Sequence, residues 1–141
     1  MNNRILICGL PNSGKTTFAK FLTEEYKNNE KPYSWLNGDA IRELYQDWDF
    51  SLEGRLRQTN RMFTIANDCK YRDVIIDYVC PLEEYRKIIK PTHLIYIDTN
   101  DHTPYEDTKN LFEPVSNPII IVKNKDNIYK QAKELYNQLK I

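Results

Sequence analysis

Short, continuously apolar runs alternate along the whole chain with segments whose apolar residues recur every three or four positions. Arg4–Cys8 predicts a buried strand. Lys15–Asn28 predicts a helix with Phe18, Phe21, Leu22 and Tyr26 on one face. Tyr33–Leu36 predicts a second short strand that ends at Asn37-Gly38-Asp39, with a short helix over Ala40–Gln46 behind it. Ser51 is placed to cap a longer helix running to about Lys70, with Leu52, Leu56, Thr59, Phe63 and Ala66 inward. Val74–Val79, Leu94–Asp98 and Ile119–Val122 predict three further strands. Leu82–Ile89 predicts a short helix stopped by Pro91, and Asp126–Leu139 a closing helix with Ile128, Ala132, Leu135 and Leu139 inward. Thr99–Asn117 is polar and interrupted by prolines, which predicts a mostly irregular loop. Strands apolar on both faces, each followed by a helical pattern, imply an α/β fold: a five-stranded parallel sheet with helices on both faces.

The composition sharpens this picture by exclusion. A chain of 141 residues, 40% of them hydrophobic, fits one globular domain with its own core, and no repeat, low-complexity tract or linker divides it. Formal net charge is zero. A general nucleic-acid binder would carry a basic excess, so a small-molecule partner is the expectation. Cys8, Cys69 and Cys80 show no C-x-x-C and no Cys/His metal spacing, which predicts reduced thiols. With no secretory leader pattern and no run long enough to span a bilayer, the expected location is cytoplasmic, away from membranes.

The first strand runs into Gly9-Leu10-Pro11-Asn12-Ser13-Gly14-Lys15-Thr16, which satisfies G-x-x-x-x-G-K-[ST] between a strand and a helix. Two of the chain's four glycines lie here. Such a loop curls so that successive N–H groups point inward at phosphate oxygens, reinforced by the positive end of the following helix. Gly9, Asn12, Ser13, Gly14, Lys15, Thr16 and Thr17 are the expected nucleotide contacts. Lys15 reaches the β/γ-phosphates and Thr16 ligates Mg²⁺. A P-loop NTPase fold with ATP and Mg²⁺ as cofactors is the prediction.

Ligands of an open parallel sheet bind beyond the carboxyl ends of its strands. That rule gathers Gly9–Thr16, Asn37–Asp39, Asp77–Pro81 and the loop after Asp98 on one rim. Asp39 is either a helix N-cap or the group that accepts a substrate hydroxyl proton or orients Mg²⁺. Asp77 stands in an apolar strand, where a carboxylate is costly unless paired or beside a metal. It is the candidate for holding Mg²⁺ with Thr16, against a satisfied structural hydrogen bond. Four arginines fall between Arg42 and Arg61, as a phosphate-handling enzyme requires. Arg55 and Gln58 flank the buried stripe of their helix, Arg61 is intermediate, and Arg57 points to solvent. Phe50 either stacks on a base or joins the core. Arg86 is either a rim cation or a solvated helix charge. His93 and His102 have no partner spacing and no assigned role.

In this order the motifs resemble the adenylylsulfate kinase family. The likeness runs from Arg4 to about Pro118. It rests on GLPNSGKTT at 9–17, NGDAIR at 37–42, DFS at 49–51 with Arg55, Gln58 and Arg61, then Pro81 with Arg86, then DTKNLF at 107–112. The resemblance implies that ATP gives its γ-phosphoryl to the 3′-hydroxyl of a nucleotide such as adenylylsulfate, a step of sulfate assimilation. It implies that Asp39 is the base or metal organiser and that Lys109 with Leu111 helps close the site. With Lys15 and Asp77, read from their own positions above, the expected catalytic residues are Lys15, Asp39, Asp77 and Lys109. It also implies acceptor contacts from Arg42, Phe50, Arg55, Gln58, Pro81, Arg86 and Leu111. The family is commonly dimeric, so a homodimer is a further expectation. This chain departs from the pattern at Asn37 (an acid in the family), Gln58 (Asn), Asn110 (Gly) and Glu106 (Arg). Asp77 stands where a small hydroxyl residue is usual. Glu113-Pro114 leads almost at once to the last strand, so the family's lid segment is shortened.

These departures leave other readings open. One is a P-loop kinase for a different nucleotide or a nucleic-acid end. Another is a nucleotide-binding regulatory protein with little turnover.

Overall fold

A computed structural model describes residues 2–99 and 105–139. Five strands form one sheet: β1 (Arg4–Gly9), β2 (Tyr33–Asn37), β3 (Asp73–Asp77), β4 (His93–Ile97) and β5 (Ile120–Val122). Their order is β2-β3-β1-β4-β5 and every pair is parallel. The predicted parallel α/β architecture is the observed one. Side chains alternate across β1, and that alternation divides the core. Ile5 and Ile7 pack with Ile75, Ile95 and Ile97 against Phe18, Leu22 and Tyr26 of α1 (Lys15–Asn28) and Ala132 and Leu135 of α6 (Ile128–Gln138). Leu6 and Cys8 pack on the other face with Ile41, Met62, Ala66, Tyr85 and Ile89. These belong to α2 (Gly38–Tyr45), α3 (Leu52–Asp68) and α4 (Glu83–Ile89). Strands buried on both faces explain the continuous apolar runs in the sequence.

The helix starts show how polar residues set the elements. The Ser51 side chain accepts from the Gly54 N–H, the cap expected for α3. At α2 the cap is Asn37, which accepts from Ala40 N–H, and not Asp39. Asp39 therefore sits one residue inside the helix with its carboxylate exposed.

Three expectations are corrected. The segment read as an irregular loop contains a helix, α5 (Glu106–Leu111), because its backbone closes on Tyr105 O while only Thr108 is buried. The part of that segment at 100–104, with His102, lies outside the described residues. Leu52, expected inward, is 61% exposed, since α3 turns Arg55 and Gln58 into the interior in its place. Arg57 is not simply solvated: it donates to Asp47 Oδ2 at 2.7 Å and to Asp49 Oδ2 at 3.2 Å. Among the described residues no helix is long and apolar enough to cross a membrane.

Candidate active site

The carboxyl ends of the strands open onto a cavity of about 1220 Å³. At one end is the loop after β1. Gly14 there has φ +113°, and a Cβ would lie 2.6 Å from Ile128 Cδ1, so only glycine suits the turn into α1. Lys15 Nζ folds back to donate to Leu10 O at 2.8 Å, so the ammonium already lies over the loop. Burial holds the Lys15 pKa below the ordinary lysine value, opposed by the nearby Asp77 and Asp39 carboxylates. Ser13 Oγ is buried inside the loop with no partner among the described residues. Lys125 and Ile128, which follow β5, close this end of the cavity.

Asp77 ends β3 in sheet register with Asn37 on one side and Ile7 on the other. Its carboxylate is 1% exposed and is the focus of a small network. Thr16 Oγ1 donates to Oδ1 at 3.1 Å, Trp35 Nε1 to Oδ2 at 2.6 Å, and Asn37 Nδ2 lies 3.1 and 3.2 Å from the two oxygens. The strand period places Trp35 and Asn37 on the same face of β2, which is why both reach it. Burial raises the Asp77 pKa above the ordinary carboxylate value, and the Trp35, Asn37 and Thr16 hydrogen bonds oppose that rise. Oxygen donors from Thr16 and Asp77, next to a phosphate loop, suit Mg²⁺, which takes one or two protein oxygens and completes its shell with water and phosphate. No cluster of three or more His, Cys, Asp or Glu groups occurs among the described residues, as that mode of binding requires none.

The opposite wall is built on arginines. The Arg42 side chain is buried and donates Nη1 to Asp47 O at 2.9 Å and Asp49 O at 3.1 Å. Its guanidinium lies 4.2 Å from the centre of the Phe50 ring, and that of Arg55 lies 5.5 Å from it. Phe50 is 51% exposed, so it is not a core residue. Arg55 also donates Nε to Phe50 O and Nη2 to Thr108 Oγ1 of α5, tying this wall to the short cover above it. Gln58 Nε2 donates to Gly38 O at 2.9 Å. Asp39, Arg42, Phe50, Arg55, Gln58 and Pro81 all line the same cavity as Asn12, Gly14, Lys15, Thr16, Thr17 and Asp77.

Other predicted residues stand apart. Arg86 does not line the cavity. Its guanidinium donates to Cys80 O, Pro81 O, Glu113 O, Pro114 O and Glu83 Oε1, and lies over the Phe112 ring. Those bonds consume the group as a staple that fastens the segment after α5 to the rim. Lys109 and Leu111 also lie outside the cavity wall, because the first turn of α5 faces it and supplies Glu106, Asp107 and Thr108, with Tyr105 before them. Gly9 and Ser13 shape the loop from beneath without lining the cavity.

Sequence pattern alone does not single out Trp35, Trp48, Tyr105 or Lys125. For Trp35 the signal was there: a tryptophan two residues before a rim residue needs a partner for its N–H. For Lys125 the rim rule, applied to β5 as well, would have served.

Comparisons with known proteins agree with this chemistry. The family model described as adenylylsulphate kinase matches residues 1–135. A cytidine diphosphoramidate kinase of Campylobacter jejuni is 28% identical over 120 residues, covering 80% of this chain and 71% of the relative. The structure of a Mycobacterium tuberculosis APS kinase in complex with AMPPNP and APS superposes with a TM-score of 0.79 at 19% identity, covering 96% of each chain. A gluconokinase from Sinorhizobium meliloti superposes with a TM-score of 0.66 at 15% identity, covering 98% of each chain. At these identities the two structures show the fold, that of the P-loop kinases.

Proposed function

As the chain belongs to the adenylylsulphate kinase family, and is a phosphotransferase with ATP as donor, we propose that its acceptor is a nucleoside carrying a second small acid group on its 5′-phosphate. Adenylylsulfate and cytidine diphosphoramidate are the two forms of that class named among its relatives. The phosphoryl goes to the 3′-hydroxyl. The observation that carries this reading is the continuity of one cavity from the phosphate loop, past the exposed Asp39 carboxylate, to the arginine-backed Phe50 ring.

In this reading the loop N–H groups and Lys15 hold the β/γ-phosphates, with Lys15 Nζ exchanging the Leu10 carbonyl for phosphate oxygen. Thr16 and Asp77 would hold Mg²⁺, which when bound would neutralise negative charge on the ATP phosphates. Trp35 and Asn37 fix the Asp77 carboxylate so that one oxygen stays beside Thr16. Asn37 stands where the family has an acid and Asp77 where it has a hydroxyl. The two are register partners, so the carboxylate has moved one strand across the sheet while staying on the rim. Asp39 has no hydrogen-bond partner among the described residues and accepts the acceptor hydroxyl proton. Arg42 keeps Nε and Nη2 without a partner among the described residues, free for the acceptor's acid group. Arg55 and Gln58 hold the wall on which the acceptor lies.

The test is acceptor-dependent ADP release with adenylylsulfate, cytidine diphosphoramidate, AMP and CMP, using Lys15→Ala as the control. Release that rises at least about a hundredfold with one of the first two, and is lost in Lys15→Ala, supports the proposal. ATP binding with no acceptor-dependent release from any of the four favours a nucleotide-binding regulatory protein. A homodimer and a cytoplasmic location stay part of the proposal, to be tested by light scattering and by fractionation.

A further inference from the structure

Trp48 is 46% exposed on the loop between α2 and α3, and lines the cavity beside Phe50. The two rings lie 6.4 Å apart between centroids, tilted by 44°. The Arg42 guanidinium covers one face of Phe50, and Trp48 stands beside the ring. A half-exposed tryptophan on a mobile loop would need no explanation, but this loop is pinned on both sides of the residue. Arg42 Nη1 holds the carbonyls of Asp47 and Asp49, the immediate neighbours of Trp48. Arg57 and Arg61 both donate to the Asp47 carboxylate, whose pKa they hold well below the ordinary range. The Asp49 carboxylate accepts from Ser51 N–H and Arg57. Beneath the loop, Gly54 presents no Cβ, and the Asp49 backbone packs directly on it. Three arginines and a glycine therefore fix where an apolar ring is shown to the cavity.

Resting on the nucleotide-acceptor reading above, we propose that Trp48 is a second aromatic wall of the acceptor-base subsite, acting together with Phe50. Among the described residues, the cover above the cavity is the first turn of α5 with Tyr105, and the loop-borne Trp48 ring adds apolar contact area beside Phe50. Stacking of a base on an aromatic side chain is sequence-tolerant and is felt strongly on alanine substitution. Trp48 accordingly sets affinity for a nucleotide base and leaves phosphoryl transfer to other groups.

Steady-state kinetics of Trp48→Ala, Trp48→Phe and Phe50→Ala, with whichever nucleotide acceptor supports turnover, provide the test. Trp48→Ala should raise the acceptor KM about tenfold while kcat and the ATP KM stay within about twofold, and Trp48→Phe should recover most of the loss. Acceptor should also quench the tryptophan emission of the ADP-bound wild type, and that quench should vanish in Trp48→Phe, which keeps only Trp35. If Phe50→Ala raises the acceptor KM and Trp48→Ala does not, the assignment of Trp48 is overturned and the subsite stands. If neither substitution moves the acceptor KM, the nucleotide-acceptor subsite falls with it.

Discussion

Replacing Trp35 with Phe removes one donor from the Asp77 carboxylate and keeps an aromatic ring at the same place in the sheet. The bond lost is a 2.6 Å indole N–H to Oδ2 contact on a nearly fully buried group. Hydrogen bonds to charged groups are worth about 1.5–3 kcal/mol net. Asn37 and Thr16 still serve the carboxylate at 3.1–3.2 Å, so the lower figure applies, about 1.5 kcal/mol, or roughly tenfold in any equilibrium that uses the ionised, oriented carboxylate. The sign follows from which form the bond favours. A donor to the charged form lowers the pKa, so its loss raises further a pKa that burial already raises, and the group holds its proton more and a cation less. The assay is fluorescent-ADP binding titrated with Mg²⁺ in the absence of acceptor. In Trp35→Phe the Mg²⁺ midpoint should rise about tenfold, metal-free ADP affinity should stay within about twofold, and excess Mg²⁺ should restore turnover. A midpoint within twofold of the wild type would refute the reasoning and make the Trp35–Asp77 bond a purely structural one.

Since burial disfavours the ionised form of Asp77, turnover should fall with decreasing pH already above the ordinary carboxylate range; thermal stability should not fall with it, because protonation relieves a buried charge. A pH–rate profile whose acid limb is unchanged in Asp77→Asn would contradict this. Gly54→Ala places a Cβ 2.2 Å from Asp49 O, a backbone atom that cannot rotate away, so urea unfolding should show about 1–3 kcal/mol lost and the acceptor KM should rise while the ATP KM holds. Arg86→Met strands the carbonyls of Cys80, Glu113 and Pro114, while Pro81 O keeps the Glu113 N–H, so it should cost at least about 3 kcal/mol in the same assay, whereas a solvated helix charge would cost under about 0.5.

The sequence made the scaffold legible because its signals are local. The apolar run Ile5–Cys8 marks a fully buried central strand, and the glycine-lysine-threonine loop states its own geometry. The acceptor side was legible by residue type but not by role. Arg42, Arg55, Arg57, Arg61 and Arg86 look alike in a sequence, and what separates them is which carbonyls the fold brings within reach. Arg86 spends its donors on four backbone oxygens, while Arg42 spends one nitrogen on two and keeps the others. The helix α5 was hidden because its six residues are almost wholly polar and only Thr108 turns inward, so no periodic stripe marks it. Asp39 and Asn37 exchange the roles that helix-cap preference alone assigns, since both are good caps and their positions differ by two residues. Trp48 escaped notice because an aromatic in a polar loop carries no period at all. Its meaning lies in the arginines that pin its neighbours.

In the proposed reaction this chain moves a phosphoryl group from ATP to the 3′-hydroxyl of a 5′-substituted nucleotide. Phosphorus NMR of a completed reaction tests it most directly, run with adenylylsulfate and, separately, with cytidine diphosphoramidate. With one of them, the reaction should give stoichiometric ADP and a new phosphomonoester resonance coupled to the ribose H3′. ADP and free phosphate in equal amounts, with both acceptors recovered unchanged, would contradict it.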